Sequence, residues 1–380
     1  MKQIFNIVIA GDLIPSGKNI DLYESGDVER LFSRPVVDLF SKADFSVVNL
    51  EGALTDADSK QNKIGPNIKA PTTTIHGIKN LGIKSVALAN NHITDYGNTG
   101  FVDTVSILEK NEISYFGAGL NRSKVSTHVS VNIGQRLICI YNVSETFFNV
   151  PDDMTAGVNV YDEWVVCREI QQLKASHDYL IVIYHGGAEN FRYPTPQTRR
   201  RFHRMADSGA DLITAQHTHC IGCEEFYNNS YLLYGQGNFS FARMNKKMNR
   251  EGMILEIKFG DSISINKHRI EMDEDDCLVY SQNQDWNDLV ERSTKVYDEA
   301  YIIREYKKLK PDNIVERYMW AYGGYSANFF KKILPGKIWR KWACLFSPAQ
   351  IMRNKFTLIS DRAREDVFYI WENLLKNNRP

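Results

Sequence analysis

Several side chains that can bind a metal ion each follow a short apolar run, at the position where a β-strand would end. They are carboxylates, an asparagine and histidines from distant parts of the chain: Asp12, Glu51, Asn91 with His92, His185, and His217 with His219. The carboxyl ends of parallel strands meet at one edge of a sheet, where α/β proteins bind their ligands. Oxygen and imidazole ligands gathered there suit a divalent metal ion. The sequence therefore predicts a metal centre.

The elements that would position these side chains alternate between strand and helix from residue 4 to about residue 258, which is typical of a layered α/β domain. Strand-like runs lie at 4–10, 45–50, 84–89, 136–143, 179–184, 211–215, 231–235 and 252–259, and helical patterns at 35–42, 98–110, 161–176 and 196–207. Residues 262–271 roughly alternate between apolar and polar side chains, which favours an edge strand. We expect a layered α/β sandwich of mixed β-sheets flanked by helices.

The composition changes after an acidic run at 273–276, and we expect a domain boundary there. Residues 1–275 would form the α/β domain, and residues 283–380 an all-helical, basic C-terminal region. Residues 301–380 contain 16 lysines and arginines against 7 acidic residues. Within them, the mixture of basic residues, tryptophan and leucine at 331–346 favours either packing on the α/β domain or peripheral contact with an anionic membrane. No nucleic-acid-reading module is recognisable, so nucleic acid is not an expected partner.

The hydrophobic content of 43% and charged content of 24% are those of an ordinary globular protein. The first apolar run is too short for a signal peptide and is better interpreted as a buried strand. No apolar stretch reaches the roughly 18 residues that a membrane span needs. Cysteines are sparse, with 6 in 380 residues. The expected location is the cytoplasm, with peripheral association at the inner membrane face as a further hypothesis.

The motifs around the metal-ligating residues resemble those of the CapA family, in the family's order. They are Gly11-Asp12, Asn49-Leu50-Glu51, the run at 88–97, His185-Gly186-Gly187, Gly209-Ala210-Asp211-Leu212, Gln216-His217-Thr218-His219 and Tyr234-Gly235-Gln236-Gly237-Asn238-Phe239. The resemblance covers about residues 4–245. This family is associated with capsule and poly-γ-glutamate biosynthesis and has a calcineurin-like metallophosphatase fold. The resemblance implies the same fold and context for this chain.

The resemblance also implies two adjacent metal positions. Glu51 would bridge them, Asp12 and His219 would complete the first, and Asn91, His185 and His217 would complete the second. The expected cofactors are one or two divalent metal ions, and the residue types do not distinguish Mn, Fe, Zn and Mg. Two such ions can activate a water molecule and stabilise both the attacking and the leaving oxygen.

Three further residues are expected to contact the substrate, and a fourth is expected to orient one of them. His92 would be the general acid or contact a phosphate group, because an imidazole near the metal ions can protonate a leaving group near neutral pH. Asp95 would orient the His92 ring. Arg192, in the loop after His185, would bind an anionic group of the substrate through its guanidinium. Asn238 is the second expected substrate-binding residue.

The chain departs from the usual metallophosphatase pattern at two positions. Ile14 stands where those proteins have the histidine of an Asp-x-His motif, and Glu51 stands where they have a bridging aspartate. The first metal position therefore has one protein ligand fewer than the pattern provides.

Two other patterns have less specific interpretations. Cys220 and Cys223 follow the histidine pair, but no second cysteine pair completes a zinc site, so we interpret the spacing as incidental, with a redox role as the alternative. Five arginines cluster near His185, and we interpret at least three of them as the solvated face of a helix: Arg192, Arg199, Arg200, Arg201 and Arg204.

The function expected from the sequence is a metal-dependent hydrolase or transferase in capsule or poly-γ-glutamate biosynthesis. Its substrate would be a phosphoester, or an amide or ester bond of an anionic surface polymer. The alternative is a non-catalytic, metal-stabilised module that binds such a polymer or an assembly partner at the membrane.

Overall fold

The computed structural model describes residues 4–63, 65–147, 149–242 and 246–309. The strands are β1 Phe5–Ile14, β2 Phe45–Leu50, β3 Ala53–Leu54, β4 Lys69–Ala70, β5 Ser85–Ala87, β6 Ser114–Phe116, β7 Ala118–Gly119, β8 His128–Ile133, β9 Arg136–Ser144, β10 Gly157–Val158, β11 Tyr179–His185, β12 Leu212–Gln216, β13 Glu224–Tyr227, β14 Ser230–Leu233, β15 Asn238–Phe241, β16 Glu251–Phe259, β17 Ile263–Met272 and β18 Leu278–Tyr280. The helices are α1 Ile20–Ser25, α2 Val28–Leu31, α3 Arg34–Ser41, α4 Ile75–Asn80, α5 Gly97–Lys110, α6 Glu163–Lys174, α7 Pro196–Asp207, α8 Asn287–Thr294 and α9 Glu299–Lys308.

The chain divides into two compact units, and the first, with residues 1–61, 67–145 and 149–303, contains two large mixed sheets. Sheet 1 has the order β18-β17-β16-β1-β2-β5-β6, in which β1, β2, β5 and β6 are parallel, and β15 also pairs with the end of β1. Sheet 2 has the order β13-β14-β12-β11-β9-β8, with antiparallel strands at both edges. The second unit, with residues 62–66, 146–148 and 304–380, lies largely outside the described ranges.

The two sheets pack face to face because alternate residues of their strands point to opposite sides. In β1, Ile7 and Ile9 belong to an inner core that also contains Ile181 and Ile183 of β11. Val8, the residue between the two isoleucines, belongs instead to an outer core with residues of the helices on sheet 1. A matching outer core joins sheet 2 to α6 and α7. The expected layered α/β sandwich, with mixed sheets flanked by helices, is confirmed.

The strands and helices that the sequence predicts between residues 4 and 259 all form, with bounds that differ by a few residues. The segment expected at an edge is β17, and this expectation is wrong at its C-terminal end, because β18 pairs with Ile270, Glu271 and Met272 and is the outermost strand. Because β18 lies beyond residue 275 and α8 follows it, the limits of the α/β domain and of the C-terminal region stay predictions. Residues 331–346 lie outside the described residues. None of the helices in the described ranges is long and apolar enough to cross a membrane.

Two arginines of α7, Arg201 and Arg199, are buried or partly buried against acidic partners, so fewer of the five clustered arginines form a solvated face than the sequence indicates. Arg201 is buried and its Nη1 lies 3.1 Å from Oε1 of Glu145. Arg199 donates two hydrogen bonds, of 3.1 and 2.6 Å, to the buried carboxylate of Glu225. The other two arginines of this helix are exposed. The amphipathic pattern predicts the helix, but it does not reveal that acidic partners lie under part of its basic face.

Candidate metal centre

Asp12 lies in β1 at a point where the pairing register shifts on both sides of the strand. Gly11 allows the close approach of β15, because a Cβ at this position would clash with the carbonyl oxygen of Gly237. The Asp12 carboxylate is fully buried; its Oδ1 accepts a 2.7 Å hydrogen bond from Asn49 Nδ2, and its Oδ2 accepts one of 3.0 Å from the backbone N–H of His217. These bonds connect both sheets through one side chain.

Glu51 follows β2 directly and is fully buried. Within the described residues, neither of its carboxylate oxygens has a hydrogen-bond partner. Burial raises the pKa of Glu51 well above its usual value, and the Asp12 carboxylate raises it further. A buried carboxylate without donors is costly, and a divalent cation is one group that satisfies both oxygens. The chemistry of this position therefore fits a metal ion.

His185 is the last residue of β11, and its ring lies between groups from both sheets. Its Nε2 is 2.8 Å from Oδ1 of Asn91 and 3.4 Å from Oε1 of Glu51, and its Nδ1 is 3.2 Å from Nδ2 of Asn49. Burial lowers the pKa of His185 to about 4. The imidazole is therefore neutral near pH 7, which is the form that binds a metal ion.

His217 and His219 follow β12, and both have positive φ angles, of 81° and 53°. Such left-handed backbone is uncommon for residues other than glycine and clusters at functional sites. Burial lowers the pKa of His219, but the Glu51 and Asp12 carboxylates more than offset this, so that the pKa is raised. The two carboxylates thus attract positive charge to this point.

The ligand atoms of these residues converge in two groups, and within each group they all lie within 4.8 Å of one another. The first group contains Asp12, Glu51 and His219, and the second contains Glu51, His185 and His217. Glu51 belongs to both, as the resemblance implies for a bridging ligand, and Asn91 contacts the second group through His185. The structure therefore brings together all the residues that the sequence predicts as metal ligands, while their binding of metal stays a prediction.

Ile14, which replaces the usual histidine, is fully buried and belongs to the outer core on sheet 1. It therefore contributes hydrocarbon to the core where the metallophosphatase pattern would supply an imidazole. The second group has Asn91 beside it as an additional neutral ligand candidate, since its Oδ1 lies 2.8 Å from Nε2 of His185. The first position is the one we expect to bind its ion less tightly.

His92 and Asp95 lie in the loop after β5. The His92 Nδ1 is 2.7 Å from Oδ2 of Asp95, and the same oxygen accepts a 2.7 Å hydrogen bond from the backbone N–H of Ile68. The backbone N–H groups of His92 and Ile93 donate to Oδ1 of Asn90, which fixes the loop. Because the Asp95 carboxylate accepts at Nδ1, the Nε2 atom is the one that can exchange a proton with a substrate.

The structure places the two expected substrate-binding residues in contacts within the protein. Arg192 donates a 3.2 Å hydrogen bond to the carbonyl of Ile221, and its Nη2 lies 3.8 Å from Oε2 of Glu251. Asn238 is buried, and its Oδ1 lies 2.8 Å from Nδ1 of His219. Neither contact tests the expected substrate binding, but Asn238 has a role that its motif did not indicate.

Asn238 fixes the orientation of His219. Its Nδ2 donates a 2.7 Å hydrogen bond to the Asn249 carbonyl, so its oxygen faces His219 as the acceptor. The His219 Nδ1 therefore carries the proton, and the lone pair is on Nε2. Hydrogen-bond partners of this kind orient metal-ligating histidines.

Replacing Asn238 by alanine is expected to weaken metal binding at the first position by about 10- to 100-fold, because His219 loses this partner. Calorimetric metal titration measures the change, with binding at the second position unaffected. Asn19→Ala is the control, since Asn19 is an equally buried asparagine that bonds to the Asp276 carbonyl instead. Equal metal affinities in all three proteins would contradict the role of Asn238.

The cysteines after the histidine pair do not join the metal-ligating groups found among the described residues. Cys220 and Cys223 are buried free thiols, and burial raises the pKa of both, that of Cys220 to about 11. A thiol with a raised pKa is a poor nucleophile and a poor metal ligand near neutral pH. Both observations favour the interpretation of the spacing as incidental.

Together, the double-sheet sandwich and the two ligand groups that share Glu51 define an α/β protein with a candidate two-metal centre. A model of the bacterial capsule synthesis protein family PGA_cap matches residues 6–243, and the chain belongs to this family. The recognition of the CapA family from the sequence motifs is confirmed.

The chain is similar to two curated relatives and to solved structures. It is 28% identical over 217 residues to the capsule biosynthesis protein CapA of Bacillus anthracis, covering 55% of this chain and 53% of that protein. It is 28% identical over 208 residues to the PGA biosynthesis protein CapA of Bacillus subtilis, covering 53% and 54%. The chain thus spans about half the length of these relatives. A phosphatase structure from Mycoplasma pneumoniae is 15% identical with a TM-score of 0.46, covering 76% of this chain and 100% of that one.

Proposed function

We propose that the protein is a metal-dependent hydrolase or transferase that acts in capsule or poly-γ-glutamate biosynthesis. Its substrate would be a phosphoester, or an amide or ester bond of an anionic surface polymer. The context rests on family membership and on the names of the relatives. The observation that carries the catalytic part is the buried Glu51 carboxylate, which belongs to both ligand groups and lacks hydrogen-bond donors among the described residues.

The residues present fit one or two divalent ions. Asp12, Glu51 and His219 would hold the first, and Glu51, His185, His217 and Asn91 the second. When bound, such ions lower the pKa of a coordinated water and polarise the scissile group. Oxygen and imidazole ligands of this mixture are compatible with Mn, Fe, Zn or Mg.

The proton chemistry is assigned to His92 and Asp95. The Asp95 carboxylate holds the imidazole through Nδ1 and stabilises its protonated form, because an acidic partner favours the charged ring. The protonated Nε2 would then donate to the leaving oxygen or nitrogen. His92 is only 8% exposed, so this exchange would occur in a site that admits little water.

Two measurements on the purified protein test the proposal. Elemental analysis counts the metal ions per chain, and turnover of methyl p-nitrophenyl phosphate is followed with and without added Mn²⁺, Fe²⁺, Zn²⁺ or Mg²⁺. Two ions and metal-dependent turnover are expected. A metal-loaded protein that binds poly-γ-glutamate but turns over neither phosphate nor amide or ester substrates would instead establish the non-catalytic binding module. A protein that binds no metal would overturn both.

A further inference from the structure

Glu189 is an acidic residue at the mouth of the metal centre that the sequence motifs did not single out as functional. It lies in the loop after β11, four residues beyond His185. Its side chain is about half exposed, at 51%, and its Oε1 lies 3.9 Å from Nε2 of His217. It therefore faces both the solvent and a residue of the second ligand group.

The backbone beside Glu189 is fixed on two sides. The next residue, Asn190, has a positive φ of 59°, and its backbone N–H donates a 2.8 Å hydrogen bond to the carbonyl of Thr218, between the two histidines. The Asn190 Oδ1 accepts a 2.9 Å hydrogen bond from Asn249, whose amide also donates to the His219 carbonyl. Hydrogen bonds therefore connect this loop to residues 217–219, and they keep the Glu189 carboxylate beside the metal centre.

The charge of Glu189 reaches both ligand groups. It raises the pKa of Glu51, and it also acts on His185 and His219 in the direction that favours their protonated forms. The cation of the same loop, Arg192, is engaged with Ile221 and Glu251. Glu189 therefore presents a half-exposed negative charge beside the second ligand group.

We propose that Glu189 is a specificity-determining residue that disfavours substrates with a doubly charged terminal phosphate and favours those with a single charge at the scissile bond. This inference rests on the proposed hydrolytic function and narrows its substrate class to a phosphodiester-like linkage. One extra negative charge about 6 Å from a carboxylate, at an effective dielectric constant of about 40, is disfavoured by about tenfold. A hydrogen-bond donor on the substrate next to the scissile bond would interact favourably with the same carboxylate.

Glu189 is assigned to substrate selection and not to metal binding, because neither ligand group contains it. A variant without its charge should therefore keep its metal. Glu189→Gln preserves the shape of the side chain and removes the charge, while Glu189→Asp preserves the charge and serves as the matched control. Because the side chain is half exposed, we expect both variants to fold like wild type, and thermal unfolding verifies this.

The activity test uses two substrates with the same leaving group on the metal-loaded proteins at pH 8. They are p-nitrophenyl phosphate, which is a dianion, and methyl p-nitrophenyl phosphate, which is a monoanion. Glu189→Gln is expected to raise kcat/KM for the dianion about tenfold more than for the monoanion, and the difference should shrink in 0.5 M salt. Glu189→Asp should keep the wild-type ratio.

A binding test separates this inference from the proposed function. Isothermal titration of the same proteins with inorganic phosphate and with dimethyl phosphate needs no turnover. Tighter phosphate binding by Glu189→Gln, without a matching gain for dimethyl phosphate, supports the role of Glu189 in substrate selection. If wild type hydrolyses neither ester but this binding result holds, only the hydrolase proposal fails. An unchanged ratio of the two affinities overturns the inference, and so does loss of metal from Glu189→Gln, which would make the residue a ligand.

Discussion

Replacing Glu51 by glutamine is expected to remove both metal ions and, at pH 8, to stabilise the metal-free protein by about 1–3 kcal/mol. The loss of metal follows because Glu51 belongs to both ligand groups. The stabilisation follows because the buried carboxylate has no donors among the described residues and its pKa is raised by burial. At pH 8 the metal-free protein must therefore keep a buried charge or take up a proton, and either costs free energy. Elemental analysis and urea unfolding in the presence of a chelator measure the two effects.

Glu225→Gln is the matched control, because Glu225 is an equally buried glutamate in the opposite situation. Burial alone would raise the pKa of Glu225, but hydrogen bonds from His203, Arg199 and Tyr234 lower it to about 2. Glu225→Gln should therefore lower the free energy of unfolding by about 3 kcal/mol above pH 5, with or without metal. Near pH 2 the effect should be small, because the carboxylate of the folded wild type becomes protonated there. A Glu51→Gln protein that keeps two ions, or that is less stable than wild type without metal, would refute the assignment of Glu51.

Replacing His92 by alanine is expected to lower kcat by about 10²- to 10⁴-fold while both metal ions stay bound. His92 belongs to neither ligand group, and its Nδ1 is held by Asp95. The variant therefore loses a proton donor and keeps the ligands. Asp95→Asn should lower kcat as well, because an amide no longer stabilises the protonated imidazole. Steady-state kinetics with metal analysis of the same samples measure both changes.

The pH profile distinguishes proton donation by His92 from a packing role. Wild type should lose kcat as the donor deprotonates at high pH, and His92→Ala should lack this limb. His268→Ala is the control, since His268 contacts Tyr280 and Glu256 in sheet 1 and belongs to neither ligand group. If His92→Ala turned over substrate at the wild-type rate, or lost its metal, the proposed proton donor would be wrong.

The sequence predicted the strands and the ligand-like residues at their ends because both depend on local pattern. Apolar runs of strand length followed by Asp, Glu, Asn or His are visible without knowledge of the fold. Topology then explains the convergence, since the ends of β1, β2 and β5 in one sheet and of β11 and β12 in the other meet at the site.

The contacts that hold the ligands could not be predicted, because their partners are distant in the chain. Asn49 donates a hydrogen bond to the carboxylate of Asp12, which lies 37 residues away in the chain. Asn238 bonds to His219, 19 residues away, and it is the first residue of the short strand β15, which the sequence did not predict. Glu189 gave no signal, because a partly exposed glutamate in a loop is ordinary until its distance to His217 is known. Local patterns therefore predicted the residue types at the centre, but not their supports.

Because β1 lies in the middle of sheet 1, Asp12 of the metal centre is synthesised long before all the neighbours of β1 are present. One neighbour of β1, β2, is made early, but the strands on its other side, β15 and β16, end more than 200 residues later. At about 5–20 residues per second, that edge of β1 stays unpaired for roughly 10–50 s. For most of this interval the nascent chain contains Asp12 and Glu51 but not yet His185, His217 or His219, so two acidic groups are made well before their imidazole partners. We expect premature release or stalled synthesis before residue 219 to leave an aggregation-prone chain that cannot assemble the centre.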